Sequence, residues 1–487
     1  MFFMNTKLEV FQKEMQGKKI AVLGLGISNR PLIRYLHQIG VTDITGFDRM
    51  EPDSDLAKEM QSEIGDAVSA FSLGEQYLEP LFHTKFDYVF KTPVVRFDIP
   101  ALLKAKELGA VVTSEMEVFM QLCPATMIAV TGSDGKTTTT TLIYKMLTEA
   151  GYTTWLGGNI GRPLLSDIDR IQSDHMVVLE LSSFQLHTMS VSPHVAVVTN
   201  ISPNHLDVHK SYEEYIEAKS NIFLHQKEGD YTVLNAQNTV TAGFAAKVPA
   251  DHRFFSRTEP LDCGVWLADG TVFFKKTKEA ESMELLRVED ILLPGQHNVE
   301  NYMAAISAVI DYVTPKTIET VAKTFGGVEH RLELVRILDG VKYYNSSIDS
   351  SPSRTIAALG TFQQKILLIA GGKDKGIPYD EIGPHILDRV KVLFLIGPTA
   401  GPIAEAVKKE AKRRGIDNLN AQLEIIYCTT YEELVTKAQQ KAQDGDCILL
   451  SPASTSFDMF RNFEQRGRTF KQLVNALKSK EEKDEAL

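Results

Sequence analysis

Thr-Met-Ile-Ala-Val-Thr-Gly-Ser-Asp-Gly-Lys-Thr-Thr, residues 126–138, is the stretch whose reading decides the fold: an apolar strand breaks at a glycine, and Gly-Lys-Thr opens a helix. That order makes a phosphate cradle. Gly132 and Gly135 let backbone N–H groups face a polyphosphate, Lys136 adds a charge for its outer phosphates, and the Thr137 hydroxyl is placed to ligate Mg²⁺. A longer form of this motif would need glycine at 130, where Val130 stands, so the loop is the short Gly-x-x-Gly-Lys-Thr. Downstream, Leu142, Ile143, Met146 and Leu147 recur at helical core spacing and Gly151 supplies a stop.

The chain around this loop has 487 residues, 43% of them hydrophobic, which is too long for one core and suggests about three domains. A formal charge of −11 argues against a nucleic-acid binder working by bulk attraction, so anionic ligands must be held by local cations and helix N-termini. Cys123, Cys263, Cys428 and Cys447 form no paired motif and read as reduced residues of a cytoplasmic protein. No apolar run is long enough to span a bilayer, so membrane insertion is not expected. Residues 478–487 are mostly charged and read as a solvated tail.

Before the loop, residues 19–29 form a buried strand running into Gly24-x-Gly26, followed by a helical stripe of Leu32, Ile33, Leu36 and Ile39. A second strand closes on Asp48, so the unit mimics a dinucleotide fold, although Asn29 occupies the place of the third glycine. It is Rossmann-like, with a nucleotide ligand that NAD satisfies no better than the alternatives. Strands at 86–90 and 110–113 complete a domain over residues 1–114. In the central domain, 115–327, strands at 175–181 and 194–201 end in polar residues, and 265–274 reads as a hairpin on Asp269-Gly270. A third α/β pattern occupies 328–487, with strands at 332–338, 341–344, 365–369, 392–396 and 447–450. The fold class is therefore α/β in three domains: Rossmann-like, a P-loop ATPase-like parallel sheet, and Rossmann-like again.

Three residues near the loop suit a metal. Glu180 ends a nearly continuous apolar strand, and His205 follows the next one. Lys219 is the unexpected member. Ser211-Tyr-Glu-Glu214 reads as a capping box, and on its helix Tyr212, Tyr215, Ile216, Lys219, Ile222 and Phe223 share one stripe. A lysine on an apolar face either loses its proton, and can then take up carbon dioxide as a carbamate, or snorkels to solvent.

These residues resemble the Mur ligase family over nearly the whole chain. The matching segments are Gly-Leu-Gly-Ile-Ser at 24–28, Thr-Gly-Ser-Asp-Gly-Lys-Thr at 131–137, Gly-Gly-Asn-Ile-Gly at 157–161 and Glu-Leu-Ser-Ser-Phe-Gln at 180–185. Others are Asn-His-Leu-Asp at 204–207, Tyr-x3-Lys at 215–219, Gly-Gln-His-Asn-x2-Asn at 295–301, Glu-His-Arg at 329–331, Gly-Gly-Lys-Asp-Lys at 371–375, Leu-Leu-Ser-Pro-Ala at 449–453 and Asn-Phe-Glu-Gln-Arg-Gly at 462–467. The segments at 180–185 and 462–467 are similar to the glutamate-adding branch.

The resemblance implies an ATP-dependent ligase that phosphorylates the carboxylate of UDP-N-acetylmuramoyl-L-alanine and couples it to D-glutamate. It implies ATP on Gly132, Ser133, Asp134, Gly135, Lys136, Thr137, Thr138, Asn301 and Arg331. Two Mg²⁺ ions are implied on Thr137, Glu180, His205 and a carbamylated Lys219, with Lys136, Glu180, His205 and Lys219 as the catalytic set. The UDP-substrate would meet Ile27, Ser28, Asp48, Arg49, Asn159, Ser182 and Gln185. The amino acid would meet Ser350, Arg354, Lys375, Ser456 and Phe463. One departure falls at Ser346-Ser-Ile-Asp-Ser-Ser351, where Ile348 replaces a lysine and Ser350 a threonine of many members, with Arg354 a candidate to restore the charge. Competing readings are a related ligase using another amino acid, such as L-glutamate, or a folate, and a nucleotide-dependent oxidoreductase built on the N-terminal glycines.

Overall fold

The computed structural model describes residues 5–26, 28–204, 208–293, 295–374, 376–479 and 482, so Ile27, His205 and Lys375 lie outside the described residues. The chain forms two compact units, Met1–Phe325 and Gly326–Leu487. The first unit holds two sheets and the second unit one.

The N-terminal sheet comprises β1 (Lys19–Leu23), β2 (Asp43–Asp48), β3 (Ala70–Leu73), β4 (Tyr88–Lys91) and β5 (Val111–Thr113), in the order β3-β2-β1-β4-β5 and parallel throughout. Parallel strands need crossovers, and these cover both faces, which is why β1 runs apolar without alternation from Ile20 to Leu23. The chain leaves β1 toward β2 in one direction and later toward β4 in the other, so a crevice opens at the strand ends between β1 and β4. Asn29 explains its own presence in the third glycine's place. Its buried Nδ2 donates to the carbonyls of Leu23 (3.0 Å) and Gly24 (2.8 Å), pinning the turn from inside. Leu32, Ile33 and Leu36 of the helix Asn29–Gln38 are buried, and Ile33 and Leu36 share one hydrophobic cluster with Leu165 and Ile168 of the central region.

The central sheet has nine strands: β6 (Thr126–Thr131), β7 (Thr154–Gly158), β8 (Met176–Glu180), β9 (Val195–Val198), β10 (Tyr231–Asn235), β11 (Asp251–Ser256), β12 (Gly264–Ala268), β13 (Thr271–Lys275) and β14 (Met283–Arg287). Their order is β14-β13-β12-β11-β10-β9-β6-β8-β7, parallel from β7 to β12 and antiparallel beyond. The expected hairpin is β12–β13. Asp269 and Gly270 take φ of 47° and 75°, the left-handed pair that a tight two-residue turn demands. The hairpin extends the sheet's edge, with β14 as a further strand.

The second unit's sheet comprises β15 (Glu333–Leu338), β16 (Val341–Asn345), β17 (Ile366–Gly371), β18 (Val390–Ile396), β19 (Glu424–Tyr427) and β20 (Cys447–Leu450), ordered β15-β16-β20-β17-β18-β19. Only β15 is antiparallel to its neighbour.

Glu115, which opens the helix Glu115–Leu122, is buried and accepts the Leu165 amide at 2.9 Å. Burial pushes its carboxyl from 4.5 up to about 7. A raised carboxyl means that the folded chain holds a proton the unfolded chain has released. Its contribution is therefore full below pH 4.5 and lost as pH rises through 7. Glu115→Gln should accordingly be more stable than wild type at pH 8, by on the order of 1–3 kcal/mol, and lose that advantage at pH 5. Denaturant midpoints at the two pH values check this.

Candidate active site

Strand β6 lies between β8 and β9, so its C-terminal loop emerges at the middle of the central sheet, where a parallel sheet places its ligands. Two glycines are forced there. A Cβ on Gly132 (φ 149°) would stand 2.0 Å from Thr199 Oγ1, and one on Gly135 (φ 77°) 2.2 Å from Asn301 Oδ1. Asn301 is buried on the helix Gln296–Val309, which packs against the loop's own helix, Lys136–Glu149, and its Oδ1 accepts from Thr139 Oγ1 at 3.4 Å. Asn301 thus seats the loop.

The loop is further clamped by Asn200, which the sequence reading passed over, and by Tyr215 of the Lys219 stripe. Asn200 Oδ1 accepts the Asp134 amide (3.0 Å) while Asn200 Nδ2 donates to the Asp134 carbonyl (3.1 Å), and Ser133 Oγ shares a hydrogen bond with Tyr215 OH at 3.0 Å. Lys136 Nζ folds back to donate to the carbonyls of Gly132 (3.0 Å) and Ser133 (2.9 Å). Thr137 and Thr138, on the first turn of the helix, are half-buried.

Lys219 does not snorkel. It is 2% exposed, and its Nζ donates to the Gly132 carbonyl (2.8 Å) and Thr131 Oγ1 (3.3 Å) and lies 4.8 Å from the centre of the Tyr215 ring. Burial drives the amine well below the ordinary lysine range and the neighbouring Lys136 charge adds to this, while Glu180 and Asp134 pull the other way. The lysine therefore sits under the phosphate loop with its proton held less tightly than that of an exposed lysine.

Glu180, 1% exposed at the end of β8, accepts from Asn159 Nδ2 at 2.8 Å through Oε1, while its buried Oε2 has no hydrogen-bond partner among the described residues. An orphaned carboxylate oxygen is costly unless something takes it up. Oxygen donors of this kind fit a hard divalent cation, and Thr137 opens the adjacent helix. Lys219 as a plain amine adds no oxygen; as a carbamate it would.

Of the expected UDP-substrate residues, Asp48 Oδ2 accepts the amide of Leu25 in the glycine turn at 2.7 Å, Ser28 caps the following helix by its backbone alone, and Arg49 is exposed. Ser182 and Gln185 form a capping box on the turn Ser183–Leu186, the Gln185 Oε1 accepting the Ser182 amide at 3.0 Å. The box expected at Ser211–Glu214 is only half there. Ser211 Oγ accepts the Glu214 amide, but the Glu214 carboxylate turns away to Arg96 and the Lys210 amide. Among the described residues, the one group of three side chains brought together as metal ligands by distance is His187, His209 and Glu214, within 4.8 Å, and there Arg96 already supplies the cation.

In the second unit, Ser350 and Arg354 follow β16, and Ser456 follows β20. Arg354 is exposed and donates to the Ile348 carbonyl at 3.1 Å, whereas Ser456 is buried. Phe463 opens the helix Phe463–Asn475 and meets the His330 ring edge-on at 6.0 Å; Arg331 is exposed. A residue that sequence reasoning missed ties the two loops. Arg466, 1% exposed, donates to the Ser347 carbonyl (2.8 Å), Ser347 Oγ (3.0 Å) and the Ser454 carbonyl (3.0 Å). Its only sequence signal is the Asn-Phe-Glu-Gln-Arg-Gly segment.

Comparison with known proteins adds to this geometry. A family described as "Mur ligase middle domain" matches residues 130–309, and one described as "Mur ligase, glutamate ligase domain" matches residues 330–454. The UDP-N-acetylmuramoylalanine–D-glutamate ligase of Ruminiclostridium cellulolyticum is 55% identical over 475 residues, 98% of this chain and 100% of its own length. That of Acetivibrio thermocellus is 54% identical over 98% of this chain and all of its own. Among solved structures, the UDP-N-acetylmuramate-alanine ligase MurC of Thermotoga maritima shares the fold, with a TM-score of 0.52 at 17% identity, over 95% of this chain and 100% of its own.

Proposed function

Because the chain belongs to the Mur ligase family, we propose that it joins the carboxylate of UDP-N-acetylmuramoyl-L-alanine to the amine of D-glutamate at the expense of ATP, in the assembly of a peptidoglycan precursor. On this reading residues 1–114 bind the UDP-substrate, 115–327 bind ATP and 328–487 bind the amino acid. The substrate carboxylate attacks the γ-phosphorus of ATP and ADP departs. The glutamate amine then attacks the acyl phosphate, loses a proton and expels inorganic phosphate.

The observation that supports the chemistry is a buried carboxylate oxygen on Glu180 with no hydrogen-bond partner among the described residues, beside a buried lysine that reaches the phosphate loop. Thr137 and Glu180 would hold one Mg²⁺, and His205 with carbamylated Lys219 a second; when bound, such ions neutralise charge as two anions meet. Lys136 leaves the carbonyls of Gly132 and Ser133 for the transferring phosphoryl group. The neutral Lys219 amine adds to carbon dioxide and sheds a proton, so an uncharged group beside Lys136 becomes an anion. No helix among the described residues is long and apolar enough to cross a membrane. All three substrates are small molecules.

Phosphate release with ATP, Mg²⁺, UDP-N-acetylmuramoyl-L-alanine and each amino acid in turn tests the reading. D-glutamate should support turnover, and an equal rate with L-glutamate would overturn the assignment. The Arg354 guanidinium lies on the carbonyl of Ile348, the position where the family resemblance leads one to expect a lysine, which supports Arg354 as the substitute cation for a glutamate carboxylate. Arg354→Ala should raise the KM for glutamate about 10- to 100-fold, the worth of one charge-assisted hydrogen bond, with the KM for ATP unchanged. Adding Ile348→Lys should recover most of the loss in steady-state kinetics.

A further inference from the structure

Behind the candidate metal ligands runs a connected series of polar side chains that the ligase chemistry does not itself use. Arg96, on the segment after β4, donates to both Asp98 oxygens (2.9 and 3.0 Å), to Glu214 Oε1 (2.9 Å) and to the Val208 carbonyl (2.7 Å). Glu214 Oε2 accepts the Lys210 amide at 2.5 Å and lies 3.7 Å from His209 Nδ1. On the other side of the ring, His209 Nε2 is 2.9 Å from Ser183 Oγ. His209 and Ser183 are both buried, the Phe184 ring stacks on the imidazole at 5.3 Å and 8°, and Tyr215 meets it edge-on at 5.3 Å.

His209 therefore touches two segments that must be held in register. Ser183 and Phe184 belong to the turn directly after Glu180. Tyr215 belongs to the nine-residue helix Tyr212–Ser220 that carries Lys219, shares a hydrogen bond with Ser133 of the phosphate loop, and lies under the Lys219 amine. A helix this short has little stability of its own, so its rotation and its distance from Glu180 are set by packing. We propose that His209 is a positioning residue: hydrogen-bonded to Ser183 and packed between the Phe184 and Tyr215 rings, with the Arg96–Glu214 pair 3.7 Å behind its Nδ1, it fixes the Lys219 helix against the Glu180 segment. Arg96 extends the brace to the N-terminal sheet, whose β1–β4 crevice adjoins the loop that carries it. The inference rests on the ligase reading above.

Partners that orient metal ligands typically change metal affinity about 10- to 100-fold when removed. His209→Ala should raise the Mg²⁺ concentration for half-maximal activity by that factor and lower the Lys219 carbamate signal seen by NMR after equilibration with ¹³C-bicarbonate, a readout that needs no turnover. His209→Gln, whose amide can still reach Ser183, should keep most of both. A His209→Ala enzyme with the wild-type Mg²⁺ requirement and carbamate signal overturns the proposal, as does equal impairment of the Ala and Gln variants. If His209→Ala fails to fold, Ser183→Ala decides, since it deletes only the hydroxyl: a shifted Mg²⁺ requirement supports the brace and an unchanged one overturns it. Failure of the wild type to ligate D-glutamate would instead sink the ligase reading.

Discussion

Lys219→Ala is expected to fold normally yet lose about 10²- to 10³-fold in turnover, the usual cost of one preorganised electrostatic contact, and to regain part of it in acetate or formate. The lysine lies beneath the phosphate loop with its amine on the Gly132 carbonyl, so its removal leaves a small space next to Lys136 and Glu180. A carboxylate entering that space would restore the anion that the proposed carbamate would supply. Lys219→Arg should gain nothing from acetate, because a guanidinium fills the site with positive charge. The measurement is phosphate release against acetate concentration, with circular dichroism as the check on folding. Full activity of the Ala variant without added carboxylate would reduce Lys219 to a packing residue.

The second large effect is expected at Lys136→Ala: ligation at saturating ATP should again fall by about 10²- to 10³-fold. The fold should survive, since the loop remains clamped by Asn200, Tyr215 and Asn301. A further consequence separates this variant from simple loss of a phosphate ligand. The Lys136 charge adds to the burial that weakens the hold of the Lys219 amine on its proton, so without it Lys219 should hold that proton to higher pH and form less carbamate at neutral pH. Turnover near that of wild type would remove Lys136 from the centre of the mechanism.

The parts of the fold legible in the sequence were mainly buried strands beside a recognisable motif; β10, buried inside the central sheet, was not read because no such motif flanks it. Residues 447–450 read as a strand and form β20, and the Asp269-Gly270 turn was visible because only a few residues accept two consecutive left-handed conformations. Strands β3, β14 and β19 gave little signal, because they are edge strands with half-exposed faces and short runs. At the site, the loop glycines, Glu180 and the buried stripe around Lys219 were readable from local pattern. Whether Lys219 snorkels was not, since that depends on Gly132 and Thr131 lying 87 and 88 positions away. The Arg96–Glu214 pair, 118 positions apart, was hidden for the same reason, and Glu214 in the sequence looked like an ordinary half of a capping box.

The seat of the phosphate loop has a consequence for how the protein is made. Thr139 and Asn301 are 162 positions apart, so a ribosome adding about 5–20 residues per second finishes the loop roughly 8–32 s before the helix that holds it. Throughout that interval the nascent chain carries a glycine-rich turn with no Asn301 beside it, and the buried face of Lys136–Glu149 lacks its partner. Nucleotide in the cell therefore has no finished pocket with which to draw the chain toward its native state until the helix Gln296–Val309 has cleared the exit tunnel. Shielding of that face during translation falls to whatever binds nascent chains, and truncations that end before this helix should aggregate instead of yielding a smaller ATP-binding module.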